Sequence, residues 1–332
     1  MVNKKFSGIM NFCKTSVAGI LQAPHILKNQ LMNIKNDFNR LILKLNNMVQ
    51  SNMELGLYHL HQANYNDAIL RFKLIVNYLS PTNKLAQYWL GWTYLLKGNC
   101  RKAIIHLTKA QEEDQIGLLH FIKSIDTINT VPLPIHKTHR NLTITDFTKN
   151  FSNNIPQVIA VELSKTAKAL PDQYTILELG SNIGLLGNEI HKRLPDHFRF
   201  IATEISTEMV KQQSNLYSEA PLYDQVIEVA IDEYLNSVTV QYEVIISLNG
   251  FAYNANLGQI FNNIFLTLKE NGYFAFALKT SSVPSFSQHS LEFSYNNTEI
   301  ATLLQTNGFK VLSCQELTLE LNNNYTIFVC TK

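Results

Sequence analysis

Residues 176–187 read ILELGSNIGLLG, an apolar run that turns at once into a second apolar run through Gly180, Gly184 and Gly187. Such a junction predicts a buried strand passing directly into a helix, because glycine admits backbone angles that other residues avoid and lets a ligand approach the main chain. The N-terminus of that helix offers unpaired N–H groups. Short β-rich runs then alternate with helical ones. Strands are predicted at Thr175–Leu179, Arg199–Thr203, Val226–Val229, Glu243–Leu248, Tyr273–Leu278, Lys310–Ser313 and Tyr325–Cys330, with helices at Leu257–Lys269 and Asn297–Asn307 among them. This alternation predicts an α/β fold, a doubly wound and mostly parallel sheet of seven strands, with ligands bound beyond the carboxyl ends of the strands. A dinucleotide fingerprint would need glycine at 182 and 185, where the chain has Asn182 and Leu185, so a nicotinamide cofactor is disfavoured.

Over residues 141–332 the sequence resembles the class I S-adenosylmethionine-dependent methyltransferases, whose first motif is E/D-x-G-x-G-x-G. Glu178, Gly180 and Gly184 match it, and Asn182 stands in place of the middle glycine. Asn tolerates left-handed backbone angles better than most residues. The second strand ends in Glu204, in IATEIS, and Ser206 to Met209 fits the S-x-x-M that follows in the family. The resemblance implies a Rossmann-like methyltransferase domain with S-adenosyl-L-methionine as cofactor. It implies that Glu204, followed by Ile205, takes the two ribose hydroxyls, since one carboxylate can accept both hydrogen bonds. For the adenine it implies either Asp232 or the apolar surface and backbone of Ala230 and Ile231, and it places Asn249 beside the cofactor after the fourth strand. YEVIISLNGFAY, LKENGYFAFAL and NGFKVLSCQE with YTIFVCTK resemble the fourth, fifth and last strands of the family.

Upstream, residues 54–114 repeat themselves. Leu55-Gly56 falls on Leu90-Gly91, Ala68 on Ala103 and Phe72 on Leu107, each at an offset of 35. Small residues at these positions let two helices approach closely while Phe72 and Tyr94 fill the space between them. The pattern resembles two tetratricopeptide repeats, whose period is 34, with one extra residue at the junction near Pro81. An all-α repeat domain over 51–125 is therefore expected before the α/β domain. Two repeats are fewer than usually stand alone, so flanking helices must cap them. QIGLLHFIKSI is the expected cap on one side. A concave repeat surface suits a protein or peptide partner.

The first 50 residues hold seven Lys/Arg (Lys4, Lys5, Lys14, Lys28, Lys35, Arg40, Lys44) against Asp37, a charge of +6, which leaves −4 on the rest. A basic end on a mildly acidic body argues against nucleic-acid wrapping, which spreads basic residues over a folded face. Between 27 and 48 the apolar residues Leu27, Leu31, Ile34, Phe38, Leu41, Leu45 and Met48 are spaced 4-3-4-3-4-3, a heptad seam. Such a helix packs on the next domain as the second cap, self-associates as a coiled coil, or lies on a membrane surface. Lys14 interrupts the first apolar stretch, so an export leader is not expected, and no run is long enough for a transmembrane segment. Cys13, Cys100, Cys314 and Cys330 show no metal or disulfide spacing, which predicts reduced thiols and a cytoplasmic protein with no metal site.

Residues 126–140, read from the stretch TVPLPIHKTHRN with its two prolines, form an expected solvated linker in which His136 and His139 are loop residues. Methyl transfer from a sulfonium needs alignment, exclusion of water and, for some acceptors, removal of a proton, so no fixed triad is expected. Tyr253 and His289 are the catalytic candidates, with Asn249 and Tyr295 also in the substrate-facing loops. Two functions are compatible with these residues. One is a methyltransferase whose substrate is recruited by the repeats; the other is an inactive methyltransferase-like scaffold that holds a protein partner.

Overall fold

The computed structural model describes residues 25–151, 154–168, 170–195, 197–319 and 323–332, so Cys13 and the expectation of no export leader lie outside the described residues. Helix α1 (His25–His61) packs its second half against α2 (Tyr65–Leu74), and α3 (Lys84–Leu96) packs against α4 (Cys100–Lys109). The two hairpins are built alike. A Cβ placed on Gly56 would lie 2.5 Å from the Phe72 ring, and one on Gly91 would lie 2.6 Å from Leu107, so in each unit a missing side chain makes room for the facing helix. Ala68, Phe72, Ala103 and Leu107 are fully buried between the helices. Asn83 and Asn99 cap α3 and α4 by accepting from the N–H groups of Ala86 and Lys102 at 2.8 and 3.0 Å. Helix α2 runs into a π-helical turn, Ile75–Leu79, before the second unit. The predicted cap forms α5 (Leu118–Lys123), which buries Leu118, Leu119, Phe121 and Ile122.

Two expectations are corrected. The heptad stretch is not a separate cap: it is continuous with the first helix of the first hairpin, and it projects from the body with Ile34, Leu41 and Met48 at 61, 47 and 48 % exposure. Nor are residues 126–140 a solvated loop. They continue into α6 (Leu133–Leu142), in which Pro132 caps the first turn and Ile135, His139, Arg140 and Leu142 are buried. Proline is tolerated at a helix start because its missing N–H would be unpaired there in any case, so the prolines that suggest a linker instead open a helix.

After α7 (Ile144–Phe151) and α8 (Ile155–Thr166) come β1 (Tyr174–Leu179), α9 (Leu185–His191), β2 (Phe198–Thr203), α10 (Thr207–Leu216), β3 (Gln225–Ile227), α11 (Ile231–Ser237) and β4 (Tyr242–Ser247). They are followed by α12 (Gly258–Thr267), β5 (Leu268–Thr280), the small hairpin β6 (Ser285–Ser287) and β7 (Glu292–Ser294), α13 (Asn297–Thr306), β8 (Lys310–Leu319) and β9 (Asn323–Thr331). All seven predicted strands are present in one sheet, ordered β3-β2-β1-β4-β5-β9-β8. Strands β1 to β5 run parallel, and β9 lies antiparallel between β5 and β8. Neighbouring β1 residues face opposite layers: Ile176 joins the core under α8, α9 and α10, whereas Leu177 joins the core under α11, α12 and α13. That two-sided burial explains why the strands read as nearly continuous apolar runs. The chain lays β2 and β3 to one side of β1 and β4 and β5 to the other. The strand order therefore reverses between β1 and β4, which is where an open α/β sheet leaves a crevice at its carboxyl ends.

Candidate active site

The loop after β1 folds back over the end of β2. Gly180 (φ 75°) and Ser181 donate their N–H groups to the Thr203 carbonyl at 3.0 and 2.9 Å. Asn182 takes the left-handed conformation that the missing glycine would have supplied, with φ 55°, and its side-chain amide donates to the Gly180 carbonyl at 2.6 Å. Gly184 (φ 86°) caps α9, and a Cβ there would lie 2.8 Å from Leu222. Both the turn angle and the packing thus require glycine at 184.

Glu204 links this loop to the next. One carboxylate oxygen accepts from the Asn182 N–H at 2.8 Å and the other from the Ser206 N–H at 2.9 Å, while the residue is almost fully buried. Each oxygen keeps a lone pair for a further donor. Ser206 caps α10 by accepting from the Met209 N–H at 3.1 Å, which gives the S-x-x-M spacing its structural reason. On the far side of the crevice Gly250 brings the loop after β4 onto β1; a Cβ there would meet the Leu179 carbonyl oxygen at 2.6 Å.

Between these loops lies a cavity of about 310 Å³. Of the predicted residues, Gly180, Asn182, Glu204, Ile205, Ala230, Ile231, Asp232, Asn249 and Tyr253 line it. Asp232 is exposed at its edge, in the first turn of α11, where partial desolvation raises its pKa. Glu178 and Gly184 lie behind the wall. Glu178 is completely buried beneath the loop, where it accepts from the Tyr223 hydroxyl at 2.7 Å; burial pushes its carboxyl up to about 8. His289 is not brought to the cavity. It sits exposed in the turn between β6 and β7, its ring against the Ser287 hydroxyl at 3.0 Å. The Tyr295 hydroxyl lies 2.7 and 2.6 Å from the Phe251 and Asn254 carbonyl oxygens, sharing its one proton between them, and so braces the loop after β4.

The roof comes from residues that the linker reading left in solvent. Thr130 bridges to Asn254, the Val131 N–H donates to the Tyr253 carbonyl at 3.0 Å and the Ala255 N–H to the Asn129 carbonyl at 2.7 Å. Helix α6 then lays His136 flat on the Tyr253 ring, with centroids 3.7 Å apart, and sets His139 Nδ1 3.1 Å from the Tyr253 hydroxyl. Burial holds His139 down to about 3 and His136 well below its usual range, with Arg140 adding to both, so both rings are neutral. Burial likewise raises the Tyr253 phenol above its ordinary value, leaving it a hydrogen-bond donor at neutral pH rather than a base. Arg140 is buried on the cavity wall. Desolvation opposes its charge, but Tyr253, Glu204 and Glu292 outweigh that and raise its pKa. Glu292, on β7, also accepts from the Asn249 side-chain amide at 2.9 Å. A helical signal for the roof was present in the sequence, since Ile135, His139 and Leu142 recur at helical spacing just after the prolines.

No family model matches the chain, and no curated protein does. Similar solved structures include an S-adenosylmethionine-dependent methyltransferase of Leishmania major, 14% identical, with a TM-score of 0.49 over 60% of this chain and 82% of that one. The 1,6-didemethyltoxoflavin-N1-methyltransferase of Burkholderia thailandensis is 12% identical, with a TM-score of 0.48 over 60% of this chain and 88% of that one. Magnesium protoporphyrin IX methyltransferase of Synechocystis is also 12% identical, with a TM-score of 0.41 over 54% of this chain and 78% of that one.

Proposed function

We propose that this chain is an S-adenosylmethionine-dependent methyltransferase. The observation that carries the reading is Glu204: a buried carboxylate at the carboxyl end of β2, on the wall of a cavity at the point where the strand order reverses. Its two oxygens each hold one backbone N–H and keep capacity for a vicinal diol. The residues present fit such a ligand in two further ways. Gly180 and Gly250 both line the cavity, and a Cβ on Gly180 would lie only 3.2 Å from Gly250, so bare backbone there lets the two loops meet closely at the cavity wall. Ala230, Ile231 and Asp232 form a shelf on the far side of Glu204 that combines apolar surface with one carboxylate. When bound, the cofactor supplies a methyl group on an already activated sulfonium.

The chain's own part is to hold and to enclose. Glu204 fixes the ribose, the 230–232 shelf takes the base, and Asn249, held by Glu292, lines the side opposite the glycine loop. The roof of His136 on Tyr253 keeps water out, and the neutral Tyr253 hydroxyl orients what enters beneath it.

The helical hairpins are read as two tetratricopeptide repeats. Their equivalent glycine contacts support this, and the π turn Ile75–Leu79 accommodates the one residue by which the 35-residue offset exceeds 34. On that reading they recruit a protein or peptide. Cys100, Cys314 and Cys330 are free thiols, in keeping with a cytoplasmic protein, and among the described residues no helix is long and apolar enough to cross a membrane.

Isothermal titration of the purified chain with S-adenosylmethionine tests the activity. Saturable binding is expected, and no heat at millimolar cofactor would overturn the enzyme in favour of the scaffold. Asn182→Gly is expected to bind the cofactor as well as the parent or better, because glycine adopts φ 55° at no steric cost. A large loss would show instead that the Asn182 amide itself contacts the ligand.

A further inference from the structure

We propose that the projecting half of α1 pairs with the same segment of a second copy of this chain as an antiparallel two-stranded coiled coil. The seam positions Ile34, Phe38, Leu41, Leu45 and Met48 lie on one helical stripe, and Ile34, Leu41 and Met48 are between 47 and 61 % exposed. An apolar heptad stripe of this length in water needs a partner, and among the described residues the body of the same chain does not provide one.

The charges beside the seam select the partner and its direction. In an antiparallel pair, residues flanking the seam on one side meet their counterparts on the same side of the other helix. Setting Phe38 against Leu41 of the second copy also sets Leu45 against Ile34 and places the two-fold axis between residues 39 and 40. In that register Asp37, the acidic residue among the first 50, faces Lys44 of the second copy, and by symmetry the pair occurs twice. On the other flank Lys35 faces Ile42, so no like charges meet there. A parallel in-register pair would instead set Asp37 against Ile42 and Lys44 against Val49, leaving both charges unused. Among the described residues of its own helix, Asp37 makes an exposed contact with Arg40 at 3.9 Å, a solvated pair that leaves it able to turn toward the partner. The antiparallel arrangement also puts the two bodies, which begin at the buried Asn52, at opposite ends of the coil.

Sedimentation velocity of the full chain over micromolar concentrations should show a monomer–dimer equilibrium. Asp37→Lys sets lysine against lysine twice and should weaken dimerisation by about ten-fold or more. Adding Lys44→Asp to it should restore the parent affinity. Under mild oxidation Ile34→Cys with Leu45→Cys should give a 34–45 intermolecular disulfide by peptide mass spectrometry, whereas Ile34→Cys alone should not cross-link to itself. A chain that sediments as a monomer overturns the proposal, including one that instead pellets with anionic phospholipid vesicles. A 34–34 cross-link, or no rescue by the charge swap, overturns the antiparallel register.

Discussion

Glu204→Ala should weaken S-adenosylmethionine binding by roughly a hundred-fold, about 3 kcal/mol, which is the scale of two hydrogen bonds to a buried charged acceptor. Two losses combine in this variant. The ribose hydroxyls lose their acceptor, and the N–H groups of Asn182 and Ser206 lose theirs, so the glycine loop and the start of α10 are no longer tied together. Arg140 also loses one of the charges that keep it comfortable in the wall. Glu204→Gln separates these effects. It keeps one acceptor oxygen but turns an NH₂ toward one of the two backbone donors, so it should fall between parent and alanine variant in titration calorimetry. Equal affinity in all three proteins would remove Glu204 from the binding site.

The second large effect is one of stability. Glu178 is pushed by burial from 4.5 up to about 8, with the hydrogen bond from Tyr223 pulling the other way and Glu204 adding to the rise. One of its oxygens accepts from Tyr223, while the other has no protein partner among the described residues. Between those two pH values the folded chain keeps the proton and the unfolded chain releases it, so Glu178 makes the fold less stable as pH rises. His106, His136 and His139, held neutral in the fold by burial, act in the opposite sense, and their contribution fades as pH rises above their ordinary value of 6.5. The histidine contribution is common to the parent and to Glu178→Gln, so the difference between the two proteins from pH 6.5 to 8 isolates Glu178. Glu178→Gln should flatten the decline there and be more stable than the parent at pH 8 by about 2 to 4 kcal/mol. Urea unfolding at pH 6.5 and pH 8 measures this directly. Parallel losses in the two proteins would show that Glu178 is already ionised in the fold.

Much of the α/β half was legible because its signals are local. A short apolar run bounded by turn residues suffices to mark β1, and a glycine whose Cβ would collide, as at 184, marks the turn after it. Strand ends could be placed within a few residues, and with them Glu204, Ala230 and Asn249, since the carboxyl ends of parallel strands are where an open sheet binds. The repeat was legible for a similar reason, each glycine being answered by a bulky residue sixteen positions on. The roof was not. His136, His139 and Arg140 are polar residues among prolines, and what buries them lies far along the chain: Tyr253 for the histidines, Glu204 and Glu292 for the arginine. The spacing of Ile135, His139 and Leu142 marks a helix, but pairings over more than sixty residues leave no local signal for what that helix covers. His289 failed in the converse way, because the β6–β7 hairpin turns it outward while bringing its neighbour Glu292 under the cavity.

The bridge of residues 129–131 onto 253–255 bears on how this protein can be divided or recombined. A cut anywhere in that stretch would not release two intact modules. The α/β half taken alone would be an open trough lacking its lid, and the helical half would carry away a strip of backbone shaped to another surface. Any exchange of the helical half must carry residues 129–142 with the α/β half. The natural joint between the two halves lies upstream, near the end of α5.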